Sequence, residues 1–379
     1  MNIIDMALNW GFPFLVALTI LVFFHELGHF WVARLAKVRV EVFSVGFGAE
    51  LFGWNDKAGT RWKIGVIPLG GYVKMFGQSD LPGDEDEDLP PLTDKEKAVS
   101  FQHKTLAQRT AIVAAGPIAN FLLSVVLIAG LMATFGAARP YAGVGEIMPG
   151  SAAAEAGFEA GDRIVSIDGE AVEWFSDLVR IVSVQPEMLL KIKVRRGDDE
   201  FVLTATPKRH QQLGAEGKTV EIGLLGVRYD PQQMHYERQN PLMAVWLGIQ
   251  QTASLTEKTL SFLGQVISGR QGTEGIGGPL RIVQYAGITF QSGIENFILF
   301  LAVLSINLGL INLFPIPILD GGHLLFFAVE AIRGRPLGPQ AQEYGFRFGL
   351  ILVLILMVFV TWNDLVQLRV FEFIKELVT

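Results

Sequence analysis

The chain has 379 residues, of which 50% are hydrophobic and 18% charged, with a mean hydropathy of +0.37. Ordinary soluble domains carry about 25% charged residues, so the composition points to a membrane protein. A net charge of −7 gives no ground for nucleic-acid binding, and the lack of cysteine excludes disulfides and thiolate metal sites, leaving N and O ligands for any metal.

The first apolar stretch, about residues 7–35, organises the rest. Residues 12–24 are apolar apart from Thr19 and run without a break in helical pattern into His25-Glu26-Leu27-Gly28-His29. An ionisable group at the centre of a membrane helix costs roughly 2.5–3.5 kcal/mol on insertion scales, so a cluster of them needs a reason. The i, i+4 spacing puts His25 and His29 on one helix face, where both imidazoles can share a Zn²⁺, and Glu26 stands beside them as a candidate general base. Arg34, Lys37 and Arg39 follow the apolar run. That order argues against a cleavable signal peptide, and it sets the N-terminus outside and Lys37 in the cytoplasm.

Residues 40–77 read as strands: 49–54 and 61–67 flank the turn signal Asn55-Asp56-Lys57-Ala58-Gly59, and Pro68-Leu69-Gly70-Gly71 separates them from a short run at 72–76. A loop over 80–98 carries an acidic run at 84–88 and reads as solvated and cytoplasmic. The second span, about 108–136, contains Gly116-Pro117, which predicts a helix broken where it lines a site. Residues 139–210 alternate short strands and helices as a small soluble α/β module. Residues 211–294 read as a connecting strand near 220–229 and interfacial helices, among them one from Asn240 to about Ile267 whose Gln250, Gln251, Glu257 and Lys258 argue against a fifth span. A third span lies between Glu295 and Asp320, and Pro315 and Pro317 break it. The fourth starts near Gln342 and runs to Asn363, followed by an amphipathic tail; Arg333 and Arg335 before it fit a cytoplasmic loop. Four spans put both termini, and the module at 139–210, on the outer side.

A hydrolytic zinc site takes three protein ligands and one open position. Two histidines are too few. His103, His210 and His235 fall in extramembrane segments, which leaves Asn312-Leu313-Phe314-Pro315-Ile316-Pro317-Ile318-Leu319-Asp320-Gly321-Gly322-His323. Asp320 and His323 both compete, and spacing does not separate them.

The His25–His29 motif, together with Asn312-x-x-Pro315-x-Pro317-x-Leu319-Asp320-Gly321, resembles the site-2 protease family of intramembrane zinc metalloproteases. Gly70-Gly71-Tyr72 and Gly116-Pro117-Ile118-Ala119-Asn120 are also similar to that family, nearest to the bacterial regulator-of-sigma-E protease type. The order of elements over 139–210, with Glu159-Ala160-Gly161-Asp162-Arg163-Ile164, resembles a circularly permuted bacterial PDZ domain. Enterobacterial members carry two such domains; this sequence has one. The resemblance implies a polytopic α-helical membrane protein of about four spans, with a membrane-associated β-hairpin or sheet and an inserted α/β PDZ domain. Its domains would be an N-terminal membrane half (1–138), the PDZ domain (139–210), the connecting segment (211–294) and a C-terminal membrane half (295–379). It implies Asp320 as the third zinc ligand, and Asn312 and Asn120 as contacts to the substrate backbone or oxyanion. It implies a bacterial inner membrane with the PDZ domain in the periplasm. The substrate would be a single-pass membrane protein already trimmed outside, of the anti-sigma-factor type, or a remnant signal peptide; a peptide at the PDZ domain is a further expected partner.

Two rival readings remain at this level. A membrane scaffold with a structural metal would need no Glu26. A transporter with polar groups along a path would be expected to carry an inverted repeat, and none is visible.

Overall fold

The computed structural model describes residues 5, 7–78, 92–213, 219–230 and 232–367. The acidic run at 84–88 and the tail beyond 367 lie outside them. The chain divides into two compact units, Met1–Leu131 with Pro241–Thr379, and Met132–Asn240. Among the described residues, four helices are long and apolar enough to cross a membrane: Ala7–Leu35, Leu106–Thr134, Ile294–Leu313 and Pro339–Gln367. These are the four stretches read from the sequence.

In the first unit, a π-helical turn (Ala7–Gly11) leads into α1 (Phe12–Leu35). Lys37 ends the helix in the left-handed region (φ 58°), and the Val38 N–H returns to Ala33 O at 2.8 Å. Two long strands follow, β1 (Val40–Asn55) and β2 (Arg61–Met75). Asp56 Oδ1 closes the turn between them by accepting from the Ala58 and Thr60 N–H groups at 2.8 and 2.9 Å.

The sequence suggests a break at 68–71; the strand instead continues through it and bends. Val42, Phe43, Ser44 and Val45 lie opposite Lys74, Val73, Tyr72 and Gly71 on one side, and opposite Arg61, Trp62, Lys63 and Ile64 on the other. Phe52, Gly53, Trp54 and Asn55 pair with the far side of Ile64, Lys63, Trp62 and Arg61. Two strands thus make four rows, with residues 71–75 as an outer row. The bend in β2 is taken at Gly70, whose φ of +124° suits glycine. One face packs on α1, where Phe43, Phe30 and Met75 are buried and Phe43 stacks on Trp62 at 4.2 Å.

A short helix, α2 (Asp94–Val99), precedes α3 (Leu106–Thr134). The expected break at Gly116-Pro117 does not occur, and Pro117 sits inside a continuous helix. A single missing N–H is tolerated in a span, and the glycine has another task, described below.

The second unit begins with β3 (Ala137–Pro140), β4 (Val144–Ile147), α4 (Ala152–Glu155), β5 (Arg163–Ile167) and β6 (Glu170–Ala171). It continues with α5 (Phe175–Ser183), β7 (Leu190–Arg196), β8 (Asp199–Ala205), β9 (Lys208–Leu213), β10 (Thr219–Leu224), β11 (Val227–Tyr229) and β12 (Met234–Glu237). One sheet has the order β6-β5-β7-β8. Its core includes Val144, Ile164, Ile167, Leu178, Ile192 and Val194. Asp162 is fully buried and binds Arg196 Nε at 2.6 Å and the Glu159 N–H at 2.9 Å. A boundary at 210 is too early. β11 pairs with β4 and β12 with β3, so residues 211–240 complete this unit and do not form a connector. Short pairings across so long a separation leave no periodic signal.

The first unit resumes with α6 (Pro241–Ile267), which has the predicted extent. It lies along α3, where Thr252 Oγ1 meets Ser124 Oγ at 3.3 Å and Gly248 faces Ala129. After it come α7 (Pro279–Gln291), α8 (Ile294–Leu313), α9 (Asp320–Arg333) and α10 (Pro339–Gln367). Asp364 of α10 is fully buried and accepts the Gly278 and Leu280 N–H groups at 2.8 and 3.0 Å, which caps α7. The break at Pro315 and Pro317 is present, and Asp320 opens a new helix directly after it. Arg333 accordingly ends a helix and does not sit in a loop.

Candidate metal centre

His25 and His29 leave the same face of α1, each 8% exposed. α3 crosses α1 at this level because Gly28 has no side chain; a Cβ there would stand 2.7 Å from Ala119 Cβ. Gly116 lies over the imidazoles, where a Cβ would overlap His29 and stand 2.9 Å from His25 Cε1. The sequence marks this glycine as a breaker; its task is close approach.

The break after α8 swings Asp320 onto the pair. Its Oδ2 is 3.2 Å from His25 Nε2 and 3.5 Å from His29 Nε2, and the two Nε2 atoms are 3.3 Å apart. His323 is not in this cluster. Ile318, just before Asp320, holds φ at 146°, a region non-glycine residues avoid, which marks the loop as strained beside the site.

The hydrogen bonds behind the ligands fix what the cluster can hold. His29 Nδ1 is 2.9 Å from the Ile112 carbonyl, so Nδ1 carries the proton and Nε2 a lone pair. His25 Nδ1 is 3.1 Å from the Asn120 amide nitrogen, while Asn120 Oδ1 is buried without a partner. Reversing that amide satisfies both: Oδ1 then accepts from His25 Nδ1–H, and His25 Nε2 is also a bare acceptor. In their neutral forms both imidazoles therefore turn an Nε2 lone pair toward Asp320 Oδ2, which has no hydrogen-bond partner. A cation resolves this. A tetrahedral zinc ion ~2.0–2.1 Å from each donor needs donors ~3.3 Å apart, which is the spacing found.

Asn120 is thus fully buried against His25. The resemblance implied a contact with the substrate for this residue; in the structure its amide instead lies against His25 Nδ1. Asn312 does reach the site: its Nδ2 is 3.5 Å from His25 Nε2 at the end of α8. Glu26 accepts a hydrogen bond from the Val73 N–H in the outer row of the sheet. A cavity of about 1480 Å³ contains all of this, and its walls include Glu26, Asn312, Asp320, the row from Gly70 to Met75, and His323. The sequence missed Ile112 and Val73, and read Gly116 as a breaker. Ile112 and Val73 both act through backbone atoms, which carry no residue-type signal.

Comparison with known proteins follows the same lines. The profile of peptidase family M50 matches residues 13–356. A provisionally named zinc metalloprotease of Agrobacterium fabrum is 43% identical over 94% of this chain and 95% of its own length. One from Rhizobium meliloti is 44% identical over 93% of this chain and 95% of its own. The metalloprotease MmpA of Caulobacter vibrioides is 36% identical over 96% of this chain and 97% of its own. A solved PDZ domain of an SdrC-like protein from Listeria monocytogenes aligns with 24% of this chain and 86% of that one at 21% identity, with a TM-score of 0.18, too slight a likeness to bear on the fold. The family match begins one residue into α1 and ends inside α10, so it takes in both halves of the membrane unit, and the chain belongs to peptidase family M50, the site-2 type of zinc metalloprotease.

Proposed function

We propose that the zinc is held by His25, His29 and Asp320 and that the enzyme hydrolyses a peptide bond within or next to the transmembrane segment of a pre-trimmed single-pass membrane protein. The observation that carries this reading is the convergence of His25 and His29, which follow an apolar run in α1, with Asp320 at the start of α9, their three donor atoms 3.2–3.5 Å apart. Bound zinc supplies Lewis acidity, activating water and polarising the scissile carbonyl. Glu26, beside the ligands, takes the proton of the attacking water and passes it to the leaving amine. Asn312 donates to the carbonyl oxygen as it gains charge.

A helical substrate hides its carbonyls in intrahelical bonds, so it must be unwound before attack. The outer row of the sheet supports a means of doing so. Residues 71–75 have a strand neighbour on one side and the catalytic cavity on the other, so an extended peptide can pair there as an added strand.

By the charge pattern, the zinc lies toward the cytoplasmic face of a bacterial inner membrane, with both termini and the Met132–Asn240 unit in the periplasm. By resemblance the substrate is an anti-sigma factor, or a remnant signal peptide, and the inserted unit acts as a PDZ-type filter. The test is cleavage of a model transmembrane peptide by purified protein in detergent. Wild type should cut. Glu26→Gln and chelated protein should not, and activity surviving either control would sink the mechanism.

A further inference from the structure

His323 lines the cavity beside the candidate metal centre, and the mechanism above assigns it no task. It lies three residues after Asp320 in α9, so the two side chains leave the same helix face. It lines the same cavity as Glu26, Asn312 and Asp320. Its ring rests against Phe346 of α10, with centroids 5.3 Å apart. It is outside the cluster of His25, His29 and Asp320, so it is not a third-ligand substitute. Among the described residues neither ring nitrogen has a hydrogen-bond partner, and neither is sealed from the cavity. Packing on Phe346 needs only an aromatic ring; it does not need two nitrogens turned loose in a protease cavity.

We propose that His323 contacts the scissile peptide and donates an N–H to its carbonyl oxygen as that oxygen becomes an oxyanion. This rests on the proteolytic reading above and deepens it. The chemistry suits the residue. Either neutral tautomer of imidazole, and its protonated form, carries at least one N–H. Water addition puts a negative charge on an oxygen that was a neutral carbonyl, so a donor held there binds the transition state more tightly than the substrate. Asn312 approaches from the end of α8 and His323 from the first turn of α9, so the strained link between those helices sets the spacing of the two donors. No proton is transferred to or from His323; Glu26 keeps that work.

The experiment compares His323→Phe and His323→Gln with wild type, and uses Glu26→Gln as the control. Each is measured for zinc content, for kcat and KM on a transmembrane peptide, and for affinity toward a phosphonamidate analogue of that peptide, whose tetrahedral anionic oxygen stands in for the oxyanion. His323→Phe keeps the ring on Phe346 but has no donor. It should retain zinc and KM, and lose ~10²–10³-fold in kcat, with a parallel loss of analogue affinity. His323→Gln, which keeps an N–H donor, should recover about tenfold of it. The proposal is overturned if kcat for His323→Phe stays within about threefold of wild type, or if its zinc is lost, which would make His323 a ligand. Should His323→Phe misfold, unchanged analogue affinity and kcat in His323→Ala decide the matter in the same way. A wild type that cleaves, an inactive Glu26→Gln and a fully active His323→Phe would remove this inference alone. A wild type that does not cleave, or an active Glu26→Gln, would remove the proteolytic reading and this one with it.

Discussion

Gly116 lies so close to His29 that a single added methyl group would overlap the imidazole Nε2. The second span therefore packs directly over both imidazoles of the proposed zinc site. Gly116→Ala should drive the rings apart. Overpacking of this kind costs about 1–3 kcal/mol, and here it falls on the proposed metal donors. The expected result is protein that still inserts in the membrane, carries substoichiometric zinc by metal analysis, and cleaves poorly. Gly130→Ala is the matched control, since a Cβ there would meet nothing within 4 Å and alanine favours helix. Equal zinc in the two variants would remove Gly116 from the account.

Asn120 tests the argument about tautomers. If its Oδ1 accepts from His25 Nδ1–H, Asn120→Ala frees the ring, and zinc affinity should fall ~10–100-fold by competition with a chelating dye. Asn120→Asp keeps an acceptor at that point and should retain zinc better than Asn120→Ala. The reverse ranking would mean that the amide donates to His25, and that the case for three bare acceptors is wrong.

The outer row of the sheet predicts a pattern in the substrate. A peptide paired as an added strand uses the N–H of every second residue toward residues 71–75. N-methylation walked along the peptide through the region of the scissile bond should impair cleavage with a period of two. Uniform loss, or none, would contradict strand pairing. Proline within residues 61–64 is a poor probe of the same idea, because that row is paired on both sides and its disruption would unfold the sheet.

The parts of this molecule that sequence reading captured share a physical basis. Spans are legible because lipid demands long apolar helices, and Pro315 and Pro317 are legible because a broken span carrying Asp320 needs a reason. What escaped it depends on approach between distant segments. Gly116 serves as a breaker in one setting and as a contact surface in another, and the residues nearby in sequence do not tell the two apart. The bend at Gly70 turns one strand into two rows, whereas Pro68 and the glycines suggested a gap. The second unit closes through β11 and β12, whose short runs have no partner within local sequence. The substrate role of Asn120 came from the family resemblance alone; that it is buried against His25 depends on how α1 and α3 cross, which no local pattern records.

Arg109 and Glu330 join the first turn of α3 to α9, the helix that Asp320 begins. Arg109 Nη2 is 2.5 Å from Glu330 Oε1, and the side chains are 16% and 15% exposed. The guanidinium also rests 5.0 Å from the centre of the Phe327 ring. Removing one partner leaves the other as an uncompensated, largely buried charge, which costs about 3–5 kcal/mol, whereas an apolar pair of similar size can be close to neutral. Glu330→Leu should therefore lower the unfolding temperature in detergent and loosen zinc, because α9 is then less firmly tied to the helix that lies over both histidines. Arg109→Leu alone should do the same. The Arg109→Leu, Glu330→Leu double variant should recover most of the loss in both measurements. A double variant that unfolds at the sum of the two single losses would mean that the pair does not act as a unit and that α9 is held in place by its packing on Phe327 and its neighbours.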